Sequence, residues 1–249
     1  MEQIARFSRC SLLFNHRHLD RLVPGYSTIN VEGRQMFSPS NNYDTVRGRH
    51  GDILIDSAYP AREIIVHYMM EAESNAVFLR RMKQLTMYLQ SDADVEISFS
   101  DEPGVRFGRL SDFEDPPYDS NIGMGSFTIH CSDPFLYSAI KESTNEIKAF
   151  KMDYYPVRVE SVEMQLRVSG SKLVLKNDTR GRKIVVNTSF SPGDIVRFEG
   201  GNIYKNKGSI LKDLDYVESD YFNFDLYSRD CFFCNLAGDV KVRYRERVL

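Results

Sequence analysis

One helix-forming segment stands among short strands in this chain: residues 73–90, ESNAVFLRRMKQLTMYLQ. Its apolar side chains recur every three or four residues and therefore share one helical face, namely Phe78, Met82, Leu85 and Leu89. Ser74 or Asn75 supplies an N-cap hydroxyl or amide oxygen at its start. Burying such a face is worth about 1.5–3 kcal/mol per side chain, so the sequence predicts a helix packed across a sheet.

Outside this helix the sequence is typical of antiparallel β-structure. Residues 95–99 and 127–131 alternate apolar and polar side chains with period two, and residues 53–55 and 63–69 are apolar runs rich in β-branched residues. We therefore predict a mainly β protein built from sandwiches or barrels. The polar, charged stretch around residues 141–156 is predicted to be a connector between a domain of residues 1–140 and a second β-domain of residues 157–249.

Composition excludes several classes of protein. The 249 residues carry a formal net charge of −3, which counts against binding nucleic acid by phosphate neutralisation. The chain has no Trp, which weakens a sugar-stacking role, and four Cys, too few for a disulfide scaffold. We expect neither a membrane-spanning helix nor a secretory leader, because the sequence has no apolar run of 18 residues and no apolar segment near Met1.

Three small groups of residues resemble metal-binding or catalytic sites but lack the further ligands or partner residues that such a site needs. Cys231 and Cys234 have a Cys-x-x-Cys spacing without two further zinc ligands nearby, so we expect buried strand thiols. His16 and His18 form at most half a metal site and are expected to lie on a polar strand face. The carboxylates of Asp112, Glu114 and Asp115 are expected in a solvated loop, and the chain has no hydrolase, metalloprotease or phosphate-loop motif. We predict no enzyme activity, cofactor or metal.

Charge is unevenly distributed along the chain. Residues 92–119 contain nine acidic and two basic residues, whereas the final nine residues are predominantly basic. Such runs are usually solvated faces, but they also serve as complementary surfaces between identical subunits or stacked rings. The acidic candidates for such a surface are Asp92, Asp94, Glu96, Asp112, Glu114 and Asp115.

The first 138 residues resemble the distal tail proteins of siphophages, the phages with long non-contractile tails. The segments occur in the family's order: Gly48-Arg49-His50-Gly51-Asp52, Arg62-Glu63-Ile64-Ile65-Val66, the helix with residues 78–89, residues 95–102 followed by Phe107-Gly108-Arg109, and residues 125–137. By position and strand pattern, the second half resembles the smaller galectin-like β-sandwich of that family.

The resemblance implies a structural protein of the virion tail tip, a baseplate hub component made in the host cytoplasm. Family members form a hexameric ring, sometimes stacked back to back, in which the N-terminal belt domains surround a DNA channel. The implied partners are the major tail tube protein, a tail-associated fibre or lysin protein and a receptor-binding protein, with no membrane partner. On this basis we expect the acidic residues to line the channel or to meet the next ring.

Two features stay open at this level. Gly48 and Gly51, with Arg49 between them, are predicted to adopt positive φ beside the ring interface, and the alternative is an ordinary loop. The runner-up function is a carbohydrate-binding module that recognises host wall glycans through a C-terminal aromatic surface: Tyr216, Tyr221, Phe222, Phe224 and Tyr227. These aromatics are more typical of core and interface positions. A tail-tip glycosidase would need a paired-carboxylate cleft.

Overall fold

The computed structural model of this protein describes residues 8–114, 116, 121–148 and 155–248. The chain divides into two compact units, the first ending at Leu136 and the second spanning Tyr137–Val248. No described helix is long and apolar enough to cross a membrane.

The first unit is a curved antiparallel sheet with two helices. Its strands and helices, in chain order and with β10 ending at the first residue of the second unit, are β1 (Leu12–Phe14), β2 (Arg17–His18), α1 (Leu19–Leu22), β3 (Tyr26–Glu32), β4 (Ser40–Asp44), β5 (Ile53–Ala58), β6 (Arg62–Glu71), α2 (Asn75–Leu89), β7 (Val95–Phe99), β8 (Glu102–Phe113), β9 (Ile122–Cys131) and β10 (Leu136–Tyr137). Seven of these strands follow one another across the sheet in the order β2-β1-β7-β8-β9-β6-β3.

Alternation explains which face of this sheet is buried. In β6 every second side chain is buried, including Ile64, Val66 and Tyr68, and the residues between them are exposed or half-buried. The sheet curls so that its ends approach each other, since the Cys10 thiol donates to the carbonyl of Ile29 at 3.7 Å. The predicted barrel-like architecture is thus present, with one apolar interior.

The helix α2 confirms the sequence prediction almost to the residue. Ser74 is the N-cap, and its Oγ accepts a hydrogen bond from the backbone N–H of Val77 at 3.4 Å. Phe78, Leu85 and Leu89 are buried in the core of the first unit, and the fourth stripe residue, Met82, packs against that core. The helix therefore covers one open side of the curled sheet.

The second unit is a sandwich of two antiparallel sheets. Its elements after β10 are β11 (Lys141–Thr144), β12 (Arg158–Leu166), β13 (Leu173–Asn177), β14 (Arg182–Val186), β15 (Ile195–Glu199), β16 (Asn202–Lys205), β17 (Gly208–Ser209), two 3₁₀ turns (Leu211–Asp213 and Tyr221–Asn223), β18 (Phe232–Cys234), β19 (Ala237–Arg245) and β20 (Arg247–Val248). One sheet has the order β11-β19-β12-β15-β16-β17 and the other β14-β13-β18. Side chains from both sheets, such as Val196, Val242 and Leu175, share one core.

The boundary between the units differs from the predicted one. We predicted a connector over residues 141–156, but β11 lies inside that stretch and pairs with β19, from Lys141 opposite Tyr244 to Thr144 opposite Lys241. Ile147 is completely buried in the core of the second unit. The stretch is polar because β11 is an edge strand with an exposed face, and edge strands share their composition with linkers.

Candidate assembly surfaces

A hairpin projects from the first unit. Strands β4 and β5 pair only with each other among the described strands, and every residue from 40 to 58 is exposed. We call residues 40–58 the arm. Its exposed side chains include Tyr43, Ile53, Leu54 and Ile55, with Leu54 53% and Ile55 58% exposed. A register shift between Asn42 and Tyr43 leaves Ile55 as the extra residue of a β-bulge.

This exposure was not predicted from the sequence. The run of residues 53–55 has the composition of a buried strand, yet no described residue of its own unit covers it. The available signal was the partner strand, because Ser40-Asn41-Asn42-Tyr43-Asp44 is nearly all polar and offers no apolar face for a core. Two-stranded hairpins are marginally stable alone, so an exposed apolar hairpin indicates a surface that another molecule covers.

The tip of the arm depends on two glycines. The N–H of Arg49 donates to the carbonyl of Val46 at 3.1 Å, closing a turn with Gly48 at its third position and φ of +83°. A type II turn requires positive φ at that position. Gly51 has φ of +79°, so the predicted conformation of both glycines is confirmed, while their place beside an interface stays a prediction.

Replacing Gly48 and Gly51 together by alanine is expected to impair self-assembly and to leave the rest of the fold intact. A Cβ at either position meets no other atom within 4 Å, so the cost is backbone strain of about 1–2 kcal/mol per residue at the tip. Size-exclusion chromatography with light scattering measures the effect. An unchanged assembly would identify residues 45–52 as an ordinary loop.

The root of the arm is held by aromatic stacking on a buried arginine. Arg62 is almost completely buried, and its guanidinium lies 4.1 Å from the ring centroid of Phe37, which precedes β4. Phe37 stacks on Tyr59, which follows β5, at 5.8 Å, and Tyr59 meets the edge of Phe135 at 6.3 Å. Arg62 donates to the carbonyls of Gly33 and Pro134 at 2.7 and 3.0 Å. The arm therefore leaves the first unit in a fixed direction.

Ion pairs beside this root neutralise two further arginines, the buried Arg106 and the half-buried Arg34. Arg106 is buried and bound in bidentate fashion by Glu102, at 2.5 and 3.0 Å. Arg34 donates to both carboxylate oxygens of Asp101, at 2.6 and 2.9 Å, and holds the pKa of that carboxyl below its usual value. The Asp101 pair thus stabilises the fold at neutral pH, and its contribution is lost as pH falls through the lowered pKa. Burial and the nearby charge of Arg106 lower the pKa of Arg62.

An apolar groove runs along the outer side of α2. It encloses about 650 Å³ and is lined mainly by apolar side chains: Phe78, Leu79, Met82, Thr86, Met87 and Phe113. We call this the α2 groove. Met87 is 69% exposed at its rim, and the only charged lining residue among those described is Lys83. None of the described lining residues is acidic, so the chemistry of this lining suits an apolar segment of protein.

The acidic candidates differ in their surroundings, and one of them is neutralised by an arginine. The carboxylate of Asp94 pairs with Arg109 at 2.9 Å, and that of Glu96 lies 3.9 Å from His16. Asp92 is exposed in the turn before β7. Asp112 accepts from the N–H of Phe113 at 2.9 Å, Glu114 accepts from the Ser126 hydroxyl at 2.7 Å, and Asp115 lies outside the described residues. The folded stretch therefore has fewer unpaired carboxylates than its sequence suggests.

The two motifs with metal-ligand spacing do not form sites. Cys234 is buried while Cys231 is exposed, which corrects the prediction of two buried thiols: residues three apart on a strand face opposite sides. His16 lies in the turn between β1 and β2 with φ of +61°. The prediction that His16 and His18 lie on a strand face is therefore wrong for His16. Among the described residues, no three metal-ligating side chains come together.

In the first unit, burial raises the pKa of Cys131 to about 12, so its thiol is uncharged at neutral pH.

The aromatic candidates of the second unit are divided between core and surface. Tyr221 and Phe224 pack against the core and line a cleft of about 260 Å³ at the edge of the sandwich. Tyr227 is half-buried, and the guanidinium of Arg180 covers its ring at 3.7 Å. Tyr216 is 57% exposed. Stacking on sugar would therefore depend on Tyr216 and on Phe222, which is 84% exposed, because Tyr221 packs against the core and Arg180 covers Tyr227.

Comparison with known proteins finds one family model and one relative that match part of this chain. Residues 24–131 match the phage tail protein RIFT-related domain family. The distal tail protein of Bacillus phage SPP1 is 29% identical over 109 residues, which are 43% of this chain. The sequence match likewise spans 43% of that relative's length, less than half of it.

Solved structures extend the similarity of fold to almost the whole chain. The crystal structure of SPP1 Dit (gp 19.1), described as a paradigm of the hub adsorption apparatus in phages that infect Gram-positive bacteria, superposes with a TM-score of 0.78 at 17% identity. The match covers 97% of this chain and all of that one. A chain of the phage p2 baseplate in its activated conformation with Ca matches at 0.62 and 10% identity, covering 97% and 99%. At these identities the likeness establishes the fold alone.

Proposed function

We propose that this chain belongs to the siphophage distal tail protein family and is a structural subunit of the tail tip. Six copies of the chain close into a hexameric ring. The role is one of assembly and connection in a baseplate hub and not of catalysis. The subunit is made in the host cytoplasm and works in the virion.

The arm is the observation that carries this proposal. A subunit that exposes Leu54 and Ile55 on a hairpin leaves apolar surface for another molecule to cover. The arm is one small part of the surface of the first unit, and we propose that its partner surface lies elsewhere on an identical copy, in a head-to-tail contact. Head-to-tail contacts between identical subunits form a closed ring when the rotation between them closes.

A ring at the end of a tail has two faces and a central hole, and these define the other proposed partners. One face would meet the major tail tube protein, or a second ring back to back, and the other a fibre, lysin or receptor-binding protein. DNA would pass through the hole. Asp92, Asp112 and Glu114, which no described cation neutralises, are the acidic residues best suited to the channel or to a ring face, because negative walls do not retain phosphates.

Recognition of host wall glycans by the second unit is the alternative function. The cleft lined by Tyr221 and Phe224 also presents Glu160 and Asn202, so it offers an aromatic surface with polar groups nearby. The coverage of Tyr227 by Arg180 reduces the aromatic surface available to a sugar ring. We therefore rank this function below ring assembly, and binding of the intact chain to a glycan array distinguishes it.

Light scattering of the purified full chain across a range of concentrations tests the ring. The expected particle has six times the 28.8 kDa of one chain, or twelve times if two rings stack. Electron microscopy of the same fraction should show six-fold particles with a central hole. A chain that remains a monomer at the highest attainable concentration, and does not join rings when mixed with isolated tail tubes, would contradict the proposal.

A further inference from the structure

We propose that the arm of each subunit lies in the α2 groove of the next subunit around the ring. This inference rests on the proposed ring and names the two surfaces that build it. Within the first unit, the arm is the exposed apolar projection and the groove is an apolar depression of suitable chemistry. The occupant is thus residues 40–58 of a second copy of this chain.

Apolar side chains are the first match between the two surfaces. The arm offers Ile53, Leu54 and Ile55 in succession, and the bulge at Ile55 re-aims one of these side chains. The groove offers flexible methionines, Met82 and Met87, which adapt to irregular neighbours.

Charge is the second match. Helix α2 carries Arg80, Arg81 and Lys83 and no acidic residue, and Lys83 lines the groove. Arg81 is already engaged by Glu73 at 2.9 Å, while no described carboxylate pairs with Lys83. On the arm, Asp56 lies two residues after Leu54 in the sequence, and it has no cationic partner among the described residues. Seating the arm in the groove would therefore pair a free carboxylate with a free ammonium group.

Topology is the third match. The arm and the groove are built from different segments of the first unit, so one subunit has both surfaces to offer. In the proposed ring each subunit gives its arm to one neighbour and its groove to the other. A closed ring needs this arrangement, in which every subunit contacts two neighbours through two different surfaces. An arm-to-arm contact would instead be satisfied within a dimer.

Cysteine cross-linking between single-site variants tests this contact. In a Cys231→Ser background, which removes the exposed native thiol, Leu54→Cys and Met87→Cys place one thiol on the arm and one in the groove. Mild oxidation of an equal mixture should give a covalent dimer, and each variant alone should stay a monomer under denaturing conditions. Oxidation of the chain that carries both substitutions should give a ladder of disulfide-linked oligomers that ends at the hexamer. Met124→Cys, equally exposed on β9, is the matched control partner and should give no dimer with Leu54→Cys.

The outcomes separate this inference from the ring itself. A ring by light scattering whose mixed variants give no disulfide overturns the arm-in-groove contact and leaves the ring standing. Self-coupling of Leu54→Cys alone also overturns it, because it identifies an arm-to-arm contact. Absence of any ring removes both proposals. Restoration of assembly in Asp56→Lys by Lys83→Asp in the same chain would support the contact independently.

Discussion

Replacing Leu54 and Ile55 together by aspartate is expected to leave a folded monomer in place of the ring. Both side chains are more than half exposed in the single chain, so the fold of the first unit does not depend on them. In the ring they would be buried, and each substitution then removes apolar contact and places a charge in that contact. We expect self-association to weaken by at least about 100-fold, which corresponds to about 2.7 kcal/mol. Sedimentation or light scattering measures the association, and circular dichroism verifies the fold.

A matched double variant in the second unit provides the control. Val217 and Phe222 are 97% and 84% exposed and lie outside the arm, so Val217→Asp with Phe222→Asp makes the same chemical change elsewhere. This control should assemble normally. If both double variants assemble like the parent chain, the arm is not the surface that holds subunits together.

Replacing Asp230 by alanine is expected to cause the largest loss of stability in the second unit. Its carboxylate is buried and accepts from the amide of Asn177 at 2.8 Å, from Arg180 at 2.9 and 3.1 Å and from the N–H of Tyr227 at 3.0 Å. Its removal leaves a buried amide and a backbone N–H without their acceptor and Arg180 without a counter-charge. Breaking such a buried network costs about 3–5 kcal/mol.

Calorimetry of the full chain measures this effect as a lower unfolding temperature of the second unit. For a unit of this size the shift should exceed about 10 °C. Asp239→Ala is the control, because the Asp239 carboxylate pairs with Arg167 at 3.1 Å on the surface and exposed pairs contribute less than about 1 kcal/mol. Equal shifts for the two variants would show that the network around Asp230 is not a stabilising centre.

Local patterns were sufficient wherever a segment meets one continuous core. The period of residues 73–90 predicted α2 with its cap, since a helix that covers a sheet needs an apolar stripe and a capped start. The alternation in residues 95–99 and 127–131 predicted β7 and β9 for the same reason. Where a bulge interrupts alternation the pattern failed. In β12 the register shifts next to Glu160, and Ser161 and Val162 are buried in succession, so buried and exposed positions no longer alternate there.

Periodicity and composition by themselves determined that the chain is mainly β with one long packed helix, because they record how each residue meets its nearest neighbours. They did not reveal the four-residue helix α1, which is too short to show a periodic pattern. Only the tertiary structure decided that residues 53–55 stand free on the arm, that residues 141–144 join the second sandwich, and that Asp94 forms an ion pair with Arg109. An apolar run is the same sequence whether its own core or another molecule covers it. Burial and ion pairing are set by segments far apart in the chain, and their positions follow only from the folded arrangement of the strands.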